Sequence, residues 1–488
     1  MIRTKTFGKS FLILALIIFL AVIIRIYFYV GHIFSDDAYY YYLSYTLLSG
    51  NFASDYLGYP VFPLRIAFLG LTSISIMIFG TNEFAAIIFP FLFSILNILL
   101  VYKISILLTD NENTSLTAAF LMAFFPTDIV FATIGFPDLI NVFLINIGIF
   151  FLLKSFYQNR IVWAFIWGTS FFLSMQFKEN IYYVLILLII LLIYFLFKNK
   201  HLNLQLLIGL LFIVGNYLVE GFIYLLLHND FFYRITITNI NYSYSYYDFF
   251  PYTAQKLTGS KNYFRNLFDQ LVMINAKSIF LRRFYLFLPL ISVVQTLFNF
   301  RKKELPLLNF WFWGTVILML AFTTSFSEYK PLDLARSWYI YPLLIPMVIL
   351  SSIFINRFSK SIKSGLIIIY ILGSLIMCFE YQIFFDKENL NLLKTFLRDN
   401  SSKTIYTDHF TKYSVDLVRE YAADSKRILG KDFNLNQISD GDWILFNKKH
   451  IDELKLQKYQ FPDFSILNSN QFRKVASFND FIFFEKLR

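Results

Sequence analysis

The feature that most constrains this chain is its succession of apolar runs, each close to the length of a membrane span and each closed by a short polar stretch. A bilayer core about 30 Å thick takes roughly 20 apolar residues per helix, because lipid offers no partner for backbone N–H and C=O groups. Runs of this kind cover residues 9–30, 84–107, 114–135, 137–155, 161–177, 179–198, 203–228, 278–299, 306–327, 338–356 and 364–385. Hydrophobic side chains make up 57% of the 488 residues and charged ones 15%, too little polar surface to coat a soluble globule. Cys378 is the single cysteine, which excludes an intramolecular disulfide framework and a cysteine-based zinc site. The net charge of +11 does not form a polybasic groove for nucleic acid, since the cations punctuate the apolar runs. Arg3, Lys5 and Lys9 precede the first run, and no small-x-small cleavage site follows it. It is expected to be the first span, with the N-terminus in the cytoplasm.

One further apolar stretch, 64–80, decides the orientation of everything after it. If it lies along or dips into the membrane, Lys103, Lys154, Arg160, Lys198, Lys200, Arg301-Lys302-Lys303, Arg357, Lys360 and Lys363 all fall in short cytoplasmic connections. If it crosses, they all fall outside. The first arrangement is expected, with about eleven spans and the C-terminus outside. It places 31–83 and 229–277 outside as long loops, together with the Pro137-Asp138 and Lys178-Glu179 turns and the stretch 328–337.

After Phe385 the composition changes. Alternating KTIYT (403–407), DWILF (442–446), RKVASF (473–478) and DFIFFEK (480–486) predict strands, and 387–398 and 411–422 carry helical spacing. The expected organisation is a polytopic α-helical membrane domain over 1–385 and a small soluble α/β domain over 386–488, on the outer face of the cell membrane.

Polar residues with chemical potential gather on that face. FSDDAYYYYLSYTLLSGN (34–51) sets Asp36 and Asp37 just beyond the first span. Two adjacent carboxylates under an apolar roof suit a general base beside an orienting group. They equally suit helix hydration, with Asp37 as N-cap of an interfacial helix 38–49 and Tyr39–Tyr42 as an aromatic belt. Asp138 follows Pro137 at the positive end of a helix, where capping is the plain alternative to chemistry. Lys178 stands between two spans, placed to bind a lipid phosphate, to snorkel, or to pair with Glu179. Arg336, ahead of WYIYPLLIP, has the same readings, and a guanidinium grips phosphate with two donors. Arg25 is costly to expose to lipid and is expected to point into the bundle or to the interface. The tyrosine-rich stretch 239–264 fits sugar rings and interfacial loops alike. No P-loop, GxGxxG, HExxH or EF-hand pattern occurs.

The ordered set resembles the multi-spanning glycosyltransferases of the GT-C fold, and within them glycosyltransferase family 39, the protein O-mannosyltransferases and the lipid A aminoarabinose transferase. The resemblance is carried by the acidic pair, YPVFPLRIAFLGLTSISIMIFGTNEFAA (59–86), FPD (136–138), FKEN (177–180) and ARSWYIYPLLIP (335–346), with IYTDHF and GDWILFN in the tail. It implies that a sugar moves from a polyprenyl-phosphate donor to an acceptor hydroxyl on a glycolipid or protein, outside the membrane and with inversion. It assigns Asp36 the role of base, puts Asp37 where relatives carry glutamate, and adds Asp138 to the same pocket. Relatives have a lysine on the lipid phosphate before the proline-rich turn, where this chain has Gly58-Tyr59-Pro60. Donor binding then passes to Lys178, Arg336 or Arg65, with Tyr59 in the turn. No cofactor is required by the sequence, and assistance by a divalent metal is left open. Two other readings predict different residues: a flippase needs ionisable groups at the midplane of its spans, and a non-catalytic assembly component tolerates loss of Asp36.

Overall fold

The computed structural model describes residues 7–52, 61–179, 181–199, 204–240, 284–300, 306–321, 337–421, 426–427, 438–456, 465, 467 and 470–487. Tyr59, Arg336, Arg301-Lys302-Lys303 and most of the loop expected at 229–277 lie outside the described residues. The helical part comprises α1 (Phe7–Tyr27), α2 (Asp36–Leu48), α3 (Ile66–Phe79), α4 (Glu83–Thr109), α5 (Glu112–Ala123), α6 (Pro126–Phe131), α7 (Asp138–Gln158), α8 (Ile161–Met175), α9 (Ile181–Asn199) and α10 (Leu204–His228). It continues with α11 (Phe287–Phe300), α12 (Pro306–Ala321), α13 (Leu344–Ile355) and α14 (Lys360–Phe384). Among the described residues five helices are long and apolar enough to cross a membrane: α1, α4, α7, α10 and α14.

Local chemistry sets the boundaries. The Asn82 side chain accepts from Ala85 N–H and starts α4, and Asn111 accepts from Thr114 N–H and starts α5. The run expected as one span over 114–135 is two helices. Pro126 disfavours helical geometry in the residue before it, and Phe125 is extended, so the chain breaks there and restarts as α6. The span expected over 338–356 likewise begins as a 3-10 segment, Ser337–Leu343, containing Pro342. The stretch 64–80 forms a 14-residue α3, about 21 Å long at 1.5 Å per residue and short of a bilayer core. Helix packing uses glycine where large rings cross: a Cβ on Gly209 would enter the Trp167 ring, which is itself fully buried.

The tail folds as a five-stranded sheet in the order β2-β1-β3-β5-β4. The strands are β1 (Ile405–Thr407), β2 (Lys426–Arg427), β3 (Trp443–Asn447), β4 (Phe472–Phe478) and β5 (Phe481–Lys486). β1 lies parallel to β2 and β3, while β5 runs antiparallel to β3 and β4. Helices α15 (Lys387–Asp399), α16 (His409–Val418) and α17 (Lys448–Leu456) complete it. Leu390, Leu393 and Leu397 of α15, spaced for one helix face, pack on Ile405, Trp443, Leu445 and Phe483.

The tyrosines of α2 join this unit to the bundle. Tyr39, Tyr40 and Tyr41 are buried, which corrects the expectation of an aromatic belt at the membrane surface. Tyr42 stacks on Tyr413 of α16 with ring centroids 4.0 Å apart, Tyr39 lies 5.4 Å from the same ring, and Tyr45 stacks on Tyr421 at 4.1 Å. A row of flat rings with polar tips makes a cohesive seat for another protein surface.

Candidate functional site

Helix direction brings the C-terminal ends of α1, α8 and α10 and the N-terminal ends of α4, α7 and α9 to one end of the bundle, the end where α15 and α16 of the tail pack on α14 and α2. The acid pair is at this end. Asp36 opens α2 and is partly exposed, whereas Asp37 is buried. Asp37 is not the N-cap expected from the sequence. Ser35 holds that position without a side-chain cap, and Asp37 turns back onto the preceding loop. Its Oδ2 meets His32 Nδ1 at 2.6 Å and accepts Ile33 N–H at 2.8 Å, and its Oδ1 accepts Ser35 N–H at 2.9 Å. Burial pushes the Asp37 carboxyl up, but the His32 charge and these hydrogen bonds outweigh it and hold the group below the usual carboxylate range. The two acids differ in exposure: Asp37 is buried and shapes the turn, and Asp36 is partly exposed.

The segment 133–138 runs beside this turn. Thr133 accepts Gly31 N–H through its carbonyl at 3.0 Å and Val30 N–H through its hydroxyl at 3.0 Å. Gly135 packs against Ala86, with the Asp37 side chain beyond it. Three residues on, Asp138 begins α7 and accepts from Lys178 Nζ at 2.6 Å. Asn141 fixes the lysine's backbone by donating to the Lys178 carbonyl at 3.0 Å and the Ser174 carbonyl at 2.8 Å. Tyr341, in the 3-10 segment before α13, is buried within electrostatic range of Asp138 and Asp128.

Of the cations expected to meet phosphate, the two that are described, Lys178 and Arg65, are paired with carboxylates. Lys178 pairs with Asp138, not with Glu179. Arg65 donates to Tyr40 Oη and, at 3.1 Å, to Glu179 Oε2, and its guanidinium lies 5.2 Å from the Phe62 ring. Behind them Arg234 joins Glu220 at 2.6 Å, Gln176 at 2.7 Å and the Leu64 carbonyl at 3.1 Å. Glu179 Oε1 and Glu220 Oε2 are buried without a hydrogen-bond partner among the described residues. Arg25 points into the bundle as expected, where it meets Asp128 at 2.5 Å and Ser94 at 2.7 Å. Among the described residues no three His, Cys, Asp or Glu come together as a metal site.

Sequence reasoning did not single out His32, Glu83, Asp128, Glu220, Arg234 or Lys394. Asp128 had the clearest signal: an acid inside an apolar run demands a cation, and Arg25 was the candidate inside the first span.

Residues 63–218, less than half of the chain, match the family model of dolichyl-phosphate-mannose-protein mannosyltransferases. No curated protein sequence matches. Among solved structures, the oligosaccharyltransferase of Archaeoglobus fulgidus in its apo form aligns at a TM-score of 0.55 and 11% identity, covering 93% of this chain and 71% of that one. ArnT from Cupriavidus metallidurans in the apo state aligns at 0.55 and 11%, covering 99% of this chain and 98% of that one. The same protein bound to undecaprenyl phosphate aligns at 0.54 and 9% identity. These likenesses bear out the resemblance read from the sequence, at the level of a family model and a fold. The chain is a multi-pass membrane protein with the GT-C fold of membrane glycosyltransferases.

Proposed function

We propose that this protein transfers a sugar from a polyprenyl-phosphate donor to an acceptor hydroxyl at the extracytoplasmic face of the cell membrane. The observation that carries the reading is the placement of the acid pair: Asp37 is buried and held by His32 and two backbone N–H groups, and Asp36 opens α2 beside it, partly exposed. Asp36 takes the acceptor proton as the acceptor oxygen attacks the anomeric carbon. The bond from that carbon to the phosphate oxygen breaks, the phosphate leaves with the electron pair, and the sugar is inverted. Asp37 orients the turn.

The leaving phosphate needs a cation, and among the described residues Lys178 is paired with the Pro137-Asp138 turn. Because Asp138 already neutralises it, an arriving phosphate exchanges with that carboxylate instead of meeting an open charge. Arg336 is the second donor-binding residue in this reading. It precedes Tyr341 by five residues in the sequence. Sidedness has its own support: Lys103, Lys154, Arg160, Arg357, Lys360 and Lys363 all stand at or near the bundle end opposite the acid pair, as cytoplasmic cations do.

The test is transfer of labelled sugars from a panel of polyprenyl-phosphate donors by membranes containing wild type, Asp36→Asn or Asp37→Asn at matched expression. Loss of a general base predicts a fall of about 10²–10⁴-fold in Asp36→Asn. Wild-type rates in Asp36→Asn would remove the assignment. No transfer by wild type across donors and hydroxyl acceptors would move weight to the flippase reading.

A further inference from the structure

The loop that delivers the acid pair, residues 28–35, has no regular structure of its own, so its shape is imposed from outside. Thr133 holds one side of it. The other side rests on a carboxylate, since Glu83 at the start of α4 accepts the His32 backbone N–H through Oε1. Gly31 has φ +77°, and a Cβ there would collide with the same Glu83 oxygen, so the backbone lies directly on the carboxylate. Phe34 also takes a left-handed φ of 57°, which a side-chain-bearing residue keeps only when its surroundings enforce it. Its ring packs 4.8 Å from His32 and 5.3 Å from Phe481 of β5.

Glu83 is held by the nearby Tyr29 hydroxyl and, from the far end of the chain, by two cations. Lys394 of α15 donates to Glu83 Oε1 at 2.7 Å with its side chain only 5% exposed, and Arg398 approaches the other oxygen at 3.8 Å. We propose that Lys394 is a positioning residue for the acid-bearing turn: its ammonium fixes the Glu83 carboxylate under the Gly31-His32 backbone, and the C-terminal unit thereby completes the site that it covers. The functional consequence rests on the reading of Asp36 as base, while the clamp itself is testable without it. Removing the ammonium leaves a mostly buried carboxylate without its closest cation, and the oxygen that holds His32 N–H then turns toward water. The turn loosens, and Asp36 loses a fixed position.

The experiment uses the full chain in lipid nanodiscs, with hydrogen exchange read on peptides covering residues 28–38 and sugar transfer measured in parallel. Lys394→Met is expected to raise exchange in 28–36 severalfold while peptides from 405–418 stay as in wild type. Its kcat is expected to fall by about tenfold or more with donor KM within about twofold, as misplacing a catalytic group by an ångström does. Lys394→Arg, which keeps the charge, restores both readouts, and Glu83→Gln, which keeps an acceptor for His32 N–H without the ion pair, falls between. Wild-type exchange at 28–36 in Lys394→Met overturns the clamp whatever the activity. Raised exchange with unchanged kcat overturns the positioning role. If Asp36→Asn transfers like wild type while Lys394→Met still loosens the turn, the base assignment fails and the clamp stands.

Discussion

The ion pair between Arg25 and Asp128 invites a double-mutant test. Both side chains are fully buried, and the guanidinium also donates to the Ala21 and Ala123 carbonyls at 3.0 and 3.1 Å and to Ser94. Without the guanidinium Asp128 keeps the Ser94 hydroxyl on Oδ2, while Oδ1 lacks a hydrogen-bond partner among the described residues, so the charge is left without a cation. Arg25→Met therefore leaves an uncompensated charge among α1, α4 and α6, and Asp128→Leu leaves its mirror image. Each single change is expected to cost about 3–5 kcal/mol, while the pair of changes together costs far less, because apolar residues of similar volume replace a buried ion pair at little or no loss. Denaturing-detergent titration of the purified protein measures all four corners, and the expected coupling is about 3 kcal/mol or more. Single variants that each lose less than about 1 kcal/mol, as exposed pairs do, or a double variant that loses the sum of the two, would refute the reasoning.

Two further outcomes are expected. Asp408, at the start of α16, accepts from Phe410 and Thr411 N–H and meets His450 Nδ1 at 2.7 Å. Burial raises its pKa but the His450 charge and hydrogen bonds more than reverse this, leaving it below its ordinary value. A group lowered on folding contributes stability that is complete above its unfolded value of about 3.9 and is lost as pH falls through the folded value. His450→Gln should therefore move acid unfolding of the C-terminal sheet to higher pH, read by hydrogen exchange in 405–418 from pH 6 downward; an unmoved midpoint would count against the pair. Orientation can be tested with one introduced thiol, since Cys378 is buried in the bundle. Ser401→Cys lies on an exposed turn and should react with a membrane-impermeant maleimide added to intact cells, whereas labelling only after lysis would reverse the topology.

Apolar length made the helical architecture legible because lipid imposes that rule on sequence directly. The tail was legible for a related reason, as period-two alternation marks β3 and β5 and the leucine spacing marks α15. The break before α6 was signalled by Pro126, yet an apolar run hides such breaks when hydropathy alone is read. Site geometry was harder. The acids and Lys178 were singled out as residues, but their pairing was not, since Lys178 meets Asp138 and not its own neighbour Glu179 through a contact between helices. The tyrosines of α2 were misplaced for the same reason: a lipid interface and a protein seat select the same amphipathic ring, and only the fold shows which one they meet.

The contact between Glu83 and Lys394 spans 311 positions in the chain, and that between Thr81 and the Glu420 carbonyl spans 339. At a synthesis rate of about 5–20 residues per second, Glu83 waits about 15–60 s for its partner to be made. During that interval the helices on either side of it enter the membrane while the loop under Gly31 and His32 has no cation to anchor its carboxylate. The last fifth of the chain thus acts as a clock on the first: an unfinished or truncated product carries the acids of the site but not the residue that sets them.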